Sequence, residues 1–317
     1  MRVKIPRMFE EGLVADDVRF STPELVADYR AERLKCDTIV DIGAGYGFQS
    51  FAFAKKCKKV YSIELNEQVC ARAKENLAKL ENVEVICGDA LDPKVIEKIK
   101  KADIVFCDPE RLPSEKERTM ATIKPFLPDV VEKYSHLTNN FCFELPPHIR
   151  DIPFDCEKEY LSLFGKLNRL DIYVGDLKNC ERSAILLPGE HFLRGKRKPV
   201  EGPLQKYLYE IDPAVLLAGL EGEIKGVKKT SNKYATADEE VESPYLPQKY
   251  AVLRVCSGHE LKRVLRDMFC GKVIIRYPID PQDYWKERNE LEKGLSGKRV
   301  LHLFRLNEGF VVAKLIE

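Results

Sequence analysis

The segment Thr38-Ile39-Val40-Asp41-Ile42-Gly43-Ala44-Gly45-Tyr46-Gly47 places an acid at the end of an apolar run and then three glycines at alternate positions. Glycines in such a place let the backbone turn tightly and approach a ligand with no Cβ in the way. A Gly-x-Gly loop by itself is a weak signal, because it also serves simply to turn the chain. Spacing narrows the ligand. A dinucleotide loop, Gly-x-Gly-x-x-Gly, needs its third glycine where this chain has Phe48, and it seats a pyrophosphate on the following helix. Asp41 would repel phosphates but suits a cationic amino-acid group, and no Gly-Lys-Ser/Thr is present to make a P-loop.

Two more acids fall at the ends of the next apolar runs. Glu64, followed by Leu65, closes Val60-Tyr61-Ser62-Ile63, and its two carboxylate oxygens match a pair of ribose hydroxyls. Asp89, followed by Ala90, closes Val85-Ile86-Cys87-Gly88 and is placed to accept from an adenine amino group. Each acid alone reads as an ordinary polar residue at a strand end. Together, Asp41, Glu64 and Asp89 stand on three successive strands at the carboxyl edge, where open α/β sheets bind ligands. A fourth run ends in Asp108-Pro109-Glu110-Arg111, the candidate substrate-facing segment. The alternative for that segment is a loop whose charges pair with each other.

These residues must be positioned by regular elements. Ser21-Thr22-Pro23-Glu24 has the form of a capping box with Ser21 as N-cap, starting a helix to about Leu34. From Thr38 to Cys107, short apolar runs alternate with helical stretches, the pattern of βαβ units and a parallel, doubly wound sheet. A helix over Pro128–His136 and a fifth strand, Phe141–Leu145, precede late strands at Tyr160–Phe164, Arg169–Val174 and Ser183–Leu187, which suggest an antiparallel edge. Arg194-Gly195-Lys196-Arg197-Lys198-Pro199 reads as a linker, so the expected domains are 1–195 and 196–317. The second part predicts a helix over Asp212–Leu220 and then strand, helix, strand, helix, strand, strand from Tyr250 to Leu315, with Asn307-Glu308-Gly309 turning the final hairpin.

At 317 residues the chain exceeds what one core usually serves, which also favours two domains. The sequence has no apolar run long enough to cross a bilayer and no secretory signal pattern at its start, so a cytoplasmic location is expected. Its ten cysteines include no Cys-x-x-Cys pair, so no metal is expected; most read as buried thiols, with disulfides in prospect only if the abundant Lys and Glu mark a thermophile. The net charge of +1 hides an asymmetry: residues 191–317 contain 23 Lys+Arg against 18 Asp+Glu, and the preceding part is acidic. That makes the C-terminal part the side expected to meet a polyanion. Arg254, Lys262, Arg263, Arg266, Lys272 and Arg276 are candidates for phosphate contacts, although helical spacing of three of them also suits a solvated face. None of the five scattered histidines suggests a catalytic role, and oligomeric state is not readable.

The glycine loop and the three strand-end acids resemble those of class I S-adenosylmethionine-dependent methyltransferases, over about residues 38–190. The resemblance implies an α/β Rossmann-like domain with a seven-stranded sheet and a reversed last strand. It implies that Asp41, Gly43, Gly45 and Gly47 line the methionine and ribose, Glu64 and Leu65 the ribose side, and Asp89 with Ala90 the adenine. Members that methylate amines commonly carry Asp/Asn-Pro-Pro-aromatic where this chain has Asp108-Pro109-Glu110-Arg111, so no aromatic is present to stack on a base. Arg111 offers a guanidinium plane or a phosphate contact instead. Ser21-Thr22-Pro23-Glu24, Asp108-Pro109 and Tyr207-Leu208-Tyr209-Glu210-Ile211-Asp212-Pro213-Ala214-Val215 together resemble a group of methyltransferases with a smaller α+β, THUMP-like C-terminal domain. That likeness implies RNA, usually tRNA, as partner. The alternative substrate is a protein or small molecule, with the second domain as lid or dimer contact.

Overall fold

A computed structural model describes residues 21–110, 119–306 and 309–316. The chain divides into two compact units, the break lying between Arg194 and Gly195. Elements are numbered along the described residues.

In the first unit, helix α1 (Glu24–Arg33) precedes an alternation of β1 (Thr38–Ile42), α2 (Phe48–Ala54), β2 (Lys59–Glu64), α3 (Glu67–Leu77), β3 (Val83–Cys87), α4 (Pro93–Ile96) and β4 (Ile104–Cys107). Helix α5 (Leu127–Tyr134), β5 (Phe141–Leu145), β6 (Cys156–Leu163), β7 (Lys166–Val174), β8 (Arg182–Leu187) and β9 (His191–Arg194) follow. The nine strands form one sheet in the order β3-β2-β1-β4-β5-β7-β6-β8-β9. Strands β1 to β5 run parallel, β7 is antiparallel to both β5 and β6, and β8 is parallel to β6. All five residues of β1 are buried, as in a parallel strand covered on both faces. The α/β class and reversed strand stand as expected; the sheet exceeds seven strands because β8 and its hairpin partner β9 extend the edge beyond β6.

Order reverses between β2-β1 and β4-β5, and at such a switch point the loops leaving β1 and β4 diverge to open a crevice at the carboxyl edge. One face of the sheet packs α1 and α2 through Ala27, Ala31, Leu34, Ala52 and Phe53. The other packs α5 through Leu127, Val130 and Tyr134. Pro23, not Ser21, is the N-cap of α1: its extended backbone starts the helix and its carbonyl accepts from Val26 and Ala27 N–H. Helices α3 and α4 begin on side-chain caps, Asn66 accepting from Gln68 and Val69 N–H and Asp92 from Lys94 N–H. One disulfide, Cys70–Cys87, ties α3 to the end of β3. The sequence offers no spacing signature for it, since the two cysteines meet only after the β2-α3-β3 unit folds.

The second unit contains β10 (Tyr207–Glu210), α6 (Pro213–Ala218), β11 (Lys228–Lys229), β12 (Tyr234–Ala237), β13 (Gln248–Cys256), α7 (Gly258–Asp267), β14 (Cys270–Ile275), α8 (Tyr284–Glu292), β15 (Arg299–Leu306) and β16 (Gly309–Ile316). Its sheet runs β11-β12-β10-β13-β16-β15-β14, with only the β14–β15 pair parallel. Asp212 caps α6 by accepting from Ala214 N–H at 2.8 Å, and Ser257 with Glu260 forms a capping box on α7. Leu261, Val264 and Leu265 of α7 pack on Val273, Leu301, Leu303 and Val312 of the sheet. The order from β13 to β16 follows the periodicity; the short strands β10 to β12 go beyond it. Asn307 and Glu308, expected in the last turn, lie outside the described residues.

Candidate functional site

The loop after β1 has three glycines with positive φ, each for a different reason. A Cβ on Gly43 (φ +76) would lie 2.4 Å from the Asp108 carbonyl oxygen, so the loop can lie against the end of β4 only if this residue is glycine. Gly47 (φ +91) starts α2, and a Cβ there would meet Leu77 Cδ1 at 2.7 Å. Gly45 (φ +55) faces open space, with nothing within 4 Å of where a Cβ would stand. Backbone bonds hold the frame: Gly43 and Ala44 N–H donate to the Ile63 carbonyl, Gly88 N–H to that of Glu64, and Asp108 N–H to that of Ile42. Thus the ends of β1, β2, β3 and β4 are joined.

The strand-end acids have different surroundings. Asp41 is buried; Ser50 Oγ donates to its Oδ2 at 2.5 Å, while Oδ1 has no hydrogen-bond partner. Burial pushes the Asp41 carboxyl up to about 7, against the lowering effects of the Ser50 hydrogen bond and the Arg30 charge. Glu64 receives Gly45 N–H at Oε2 (2.9 Å) and Asn66 N–H at Oε1 (2.8 Å), which orients the carboxylate and leaves each oxygen a further lone pair. Beside it Leu65 is 67% exposed. Asp89 is exposed and accepts from Leu91 N–H at 2.8 Å; Ala90 is buried, with its carbonyl fixed by Tyr134 Oη at 2.9 Å.

Asp108 follows β4 at half burial, and Pro109 beneath it is buried. Glu110 is exposed and forms a backbone bridge with Lys124, its N–H donating to the Lys124 carbonyl at 2.8 Å. Arg111 lies outside the described residues. The structure therefore gathers Asp41, Gly43, Gly45, Glu64 and Asp108 at one sheet edge through direct backbone links.

A buried ionic cluster next to this edge was not singled out by its residue types. Arg30 of α1 is fully buried; it donates to Glu144 Oε2 at 2.7 Å, to Asp171 Oδ1 at 2.8 Å and to Gln49 Oε1 at 2.9 Å, and its guanidinium lies 4.6 Å from the Phe106 ring centroid. Arg169 also pairs with Glu144. Neighbouring Arg33 pairs with Glu157 and Glu159, and Tyr29 and Tyr173 hydroxyls donate to Glu159. The signal was present: Val26, Ala27, Arg30, Ala31 and Leu34 form one helical stripe, so Arg30 sits on the face that buries. Ser50 carried no comparable mark.

The basic candidates of the second unit separate. Arg254, Arg263, Arg266 and Lys272 are exposed, but Lys262 pairs with Glu290 at 2.9 Å and Arg263 with Glu260 at 3.3 Å. Arg276 instead turns to the sheet, its Nε donating to His302 Nδ1 at 3.1 Å; burial and the Arg276 charge lower the His302 imidazole to about 4. Among the described residues no group of three or more His, Cys, Asp or Glu side chains converges as a metal site, and no helix is long and apolar enough to cross a membrane.

A family model described as ribosomal RNA adenine dimethylase matches residues 24–124, the stretch that contains the glycine loop and the acids on β1 to β4. A "Probable ribosomal RNA small subunit methyltransferase A" of Methanosarcina acetivorans is 43% identical over 61 residues, covering 19% of this chain and 23% of its own. An uncharacterized protein of Methanocaldococcus jannaschii is 40% identical over 112 residues, 34% of this chain and 40% of its own. The chain spans about a quarter of the length of the first curated relatives it matches. A solved structure of a candidate methyltransferase from Porphyromonas gingivalis W83 superposes with a TM-score of 0.76 over 96% of this chain and 83% of its own, at 19% identity. That likeness establishes a shared fold.

Proposed function

We propose that this chain is an S-adenosylmethionine-dependent methyltransferase acting on a base in RNA, with tRNA as substrate and the cytoplasm as its place of work. The observation that carries the reading is the unpartnered, buried Oδ1 of Asp41 near the end of β1, ahead of a glycine loop in which Gly45 faces open space and its N–H orients the Glu64 carboxylate. A buried carboxylate oxygen without a donor is unfavourable, and a cationic ammonium would satisfy it. The residues present fit the cofactor: Asp41 and the glycines would hold its amino-acid end, Glu64 with Leu65 its ribose side, and Asp89 and Ala90 its adenine. When bound, the cofactor supplies a methyl group activated by a positively charged sulfur.

In this reading the chain contributes mainly alignment, an effect worth roughly 7–11 kcal/mol when two reactants are held in attacking geometry. Asp108, anchored by its own N–H on Ile42, would orient the target amine and hold its departing proton or positive charge. Pro109 stiffens that segment; Glu110 and Arg111 are left to meet the substrate. The match of 24–124 to an RNA adenine dimethylase model and the basic excess beyond residue 190 support RNA as the acceptor. The THUMP-like likeness of residues 196–317 supports tRNA and assigns the second unit to RNA positioning. Incubation of the protein with labelled cofactor and separate tRNA and ribosomal RNA fractions, followed by nucleoside mass spectrometry, tests this. A methylated base in the tRNA fraction is expected; label in neither RNA would overturn the reading.

A further inference from the structure

Two of the eight free cysteines lie in contact at the back of the first unit. Cys36 Sγ and Cys57 Sγ are 3.8 Å apart and separated by 21 residues in sequence. Cys36 lies in the link from α1 to β1, and Cys57 just past the end of α2. The Cys57 backbone is fixed, its N–H donating to the Phe53 carbonyl at 2.8 Å and its own carbonyl accepting from Asn82 Nδ2 at 3.0 Å. Closing the gap to a bonded pair, about 2.05 Å, requires roughly 2 Å of sulfur movement, within reach of rotation about the Cα–Cβ bonds. Only Cys36 and Cys180 of the free cysteines are not fully buried, and no other cysteine sulfur is recorded in contact with Cys180, whose Sγ lies 3.3 Å from the Arg182 carbonyl.

We propose that Cys36 and Cys57 form a second cystine that clamps α1 onto α2. The oxidant is a low-molecular-weight disulfide of the glutathione class. The half-buried Cys36 thiolate attacks one of its sulfurs, forming a mixed disulfide and releasing one thiol; the Cys57 thiolate then attacks the Cys36 sulfur and releases the second. Two protein thiols lose their protons and become one S–S bond, and one external disulfide becomes two thiols.

The clamp matters because of what the two helices carry. Helix α1 brings Arg30 to Gln49 at the start of α2, immediately after the glycine loop, and is seated by buried ion pairs and by the apolar side chains of Ala27, Ala31 and Leu34. Cys70–Cys87 already tethers α3, which follows Glu64, so the helices behind both acid-bearing loops would be cross-linked.

The full chain is incubated with glutathione disulfide, unfolded, alkylated with N-ethylmaleimide and mapped without reduction. Relative to the untreated protein, two fewer thiols take the label, peptides containing Cys36 and Cys57 appear joined, and the first unit melts about 6 °C higher, as expected for a loop of this size. Cys36→Ser should abolish both the join and the rise, and Cys180→Ser neither. No cross-link, glutathione retained on Cys36 alone, or a cross-link that leaves the melting temperature unchanged would each overturn the proposal. None of these readouts involves methyl transfer, so the result is independent of the proposed function.

Discussion

The first unit buries charge and the second displays it. In the first, Arg30, Glu144, Asp171, Glu157 and Glu159 are all buried in one ionic system beside a sheet edge where a further carboxylate, Asp41, is left without a full set of partners. In the second, Arg254, Arg263, Arg266 and Lys272 are exposed and the pairs recorded for α7 are surface pairs, which contribute little to stability. Two features of the first unit explain the contrast: α1 brings Arg30 and Arg33 down onto acids within β5, β6 and β7, and parallel strands carry Asp41 and Glu64 to one edge. The carboxyl ends of parallel strands finish together at one edge, so polar side chains converge there and must be oriented from behind. An antiparallel sheet scatters its strand ends and leaves its outer side chains to solvent. The first arrangement suits chemistry on a bound small molecule, the second suits contact with a large charged surface.

The sharpest way to break this contrast is Arg30→Met. Removing the cation leaves Glu144 and Asp171 buried without compensation, a change that typically destabilises by about 3–5 kcal/mol. Calorimetry should show the first unit's transition falling far while that of the second stays in place; a uniform shift would mean the two units do not unfold separately. Asp108→Ala should lower single-turnover methyl transfer by roughly 100-fold with cofactor affinity retained, because misplacing a reacting group is costly even when binding is intact. Parallel loss of both would make Asp108 a structural residue.

Glu64→Ala removes an acceptor oriented by two backbone N–H groups and should weaken cofactor binding by roughly tenfold to a hundredfold in titration calorimetry. Asp41 predicts a pH dependence of the same binding. Its carboxyl is raised to about 7, so below that pH it is mostly protonated, and an ammonium-bearing ligand must drive off the proton. Affinity should therefore rise with pH by up to about tenfold per unit and flatten above about 7, and Asp41→Asn should remove the slope. A wild-type affinity constant from pH 5.5 to 8 would remove Asp41 from the cofactor's charged end.

Much of this was legible because it depends on local pattern. Short apolar runs ending in Asp41, Glu64 and Asp89 specify parallel strands and put the acids at their ends, and glycines at 43, 45 and 47 specify the turn. What escaped was long-range. Ser50 reaches Asp41 only because α2 folds back over β1, and Glu144 and Asp171 meet Arg30 across separations of 114 and 141 residues. Strands β8 and β9 extend the sheet through pairings that no alternation in one strand can announce. The Ser21 cap failed for a local reason: Pro23 already holds the extended conformation from which the helix starts.

The smallest expected effect lies on the second unit and decides whether its display of charge serves RNA. If Lys262, Arg263 and Arg266 contact phosphates, each Ala substitution should reduce the slope of log affinity for tRNA against log salt by about one unit, because one fewer counterion is released. The pairs already present make the three residues unequal. Lys262 must leave Glu290 and Arg263 must leave Glu260 to reach a phosphate, so part of their gain is offset, whereas Arg266 is exposed on the same helix with no ion-pair partner among the described residues. Arg266→Ala is therefore expected to change affinity most of the three. Removing the acid instead gives the converse test: Glu290→Gln frees Lys262 and should tighten tRNA binding at low salt by a few-fold, an effect that vanishes at high salt as screening takes over. Unchanged slopes in all three Ala variants, with Glu290→Gln indistinguishable from wild type, would make α7 an ordinary solvated face and move RNA contact elsewhere on the chain.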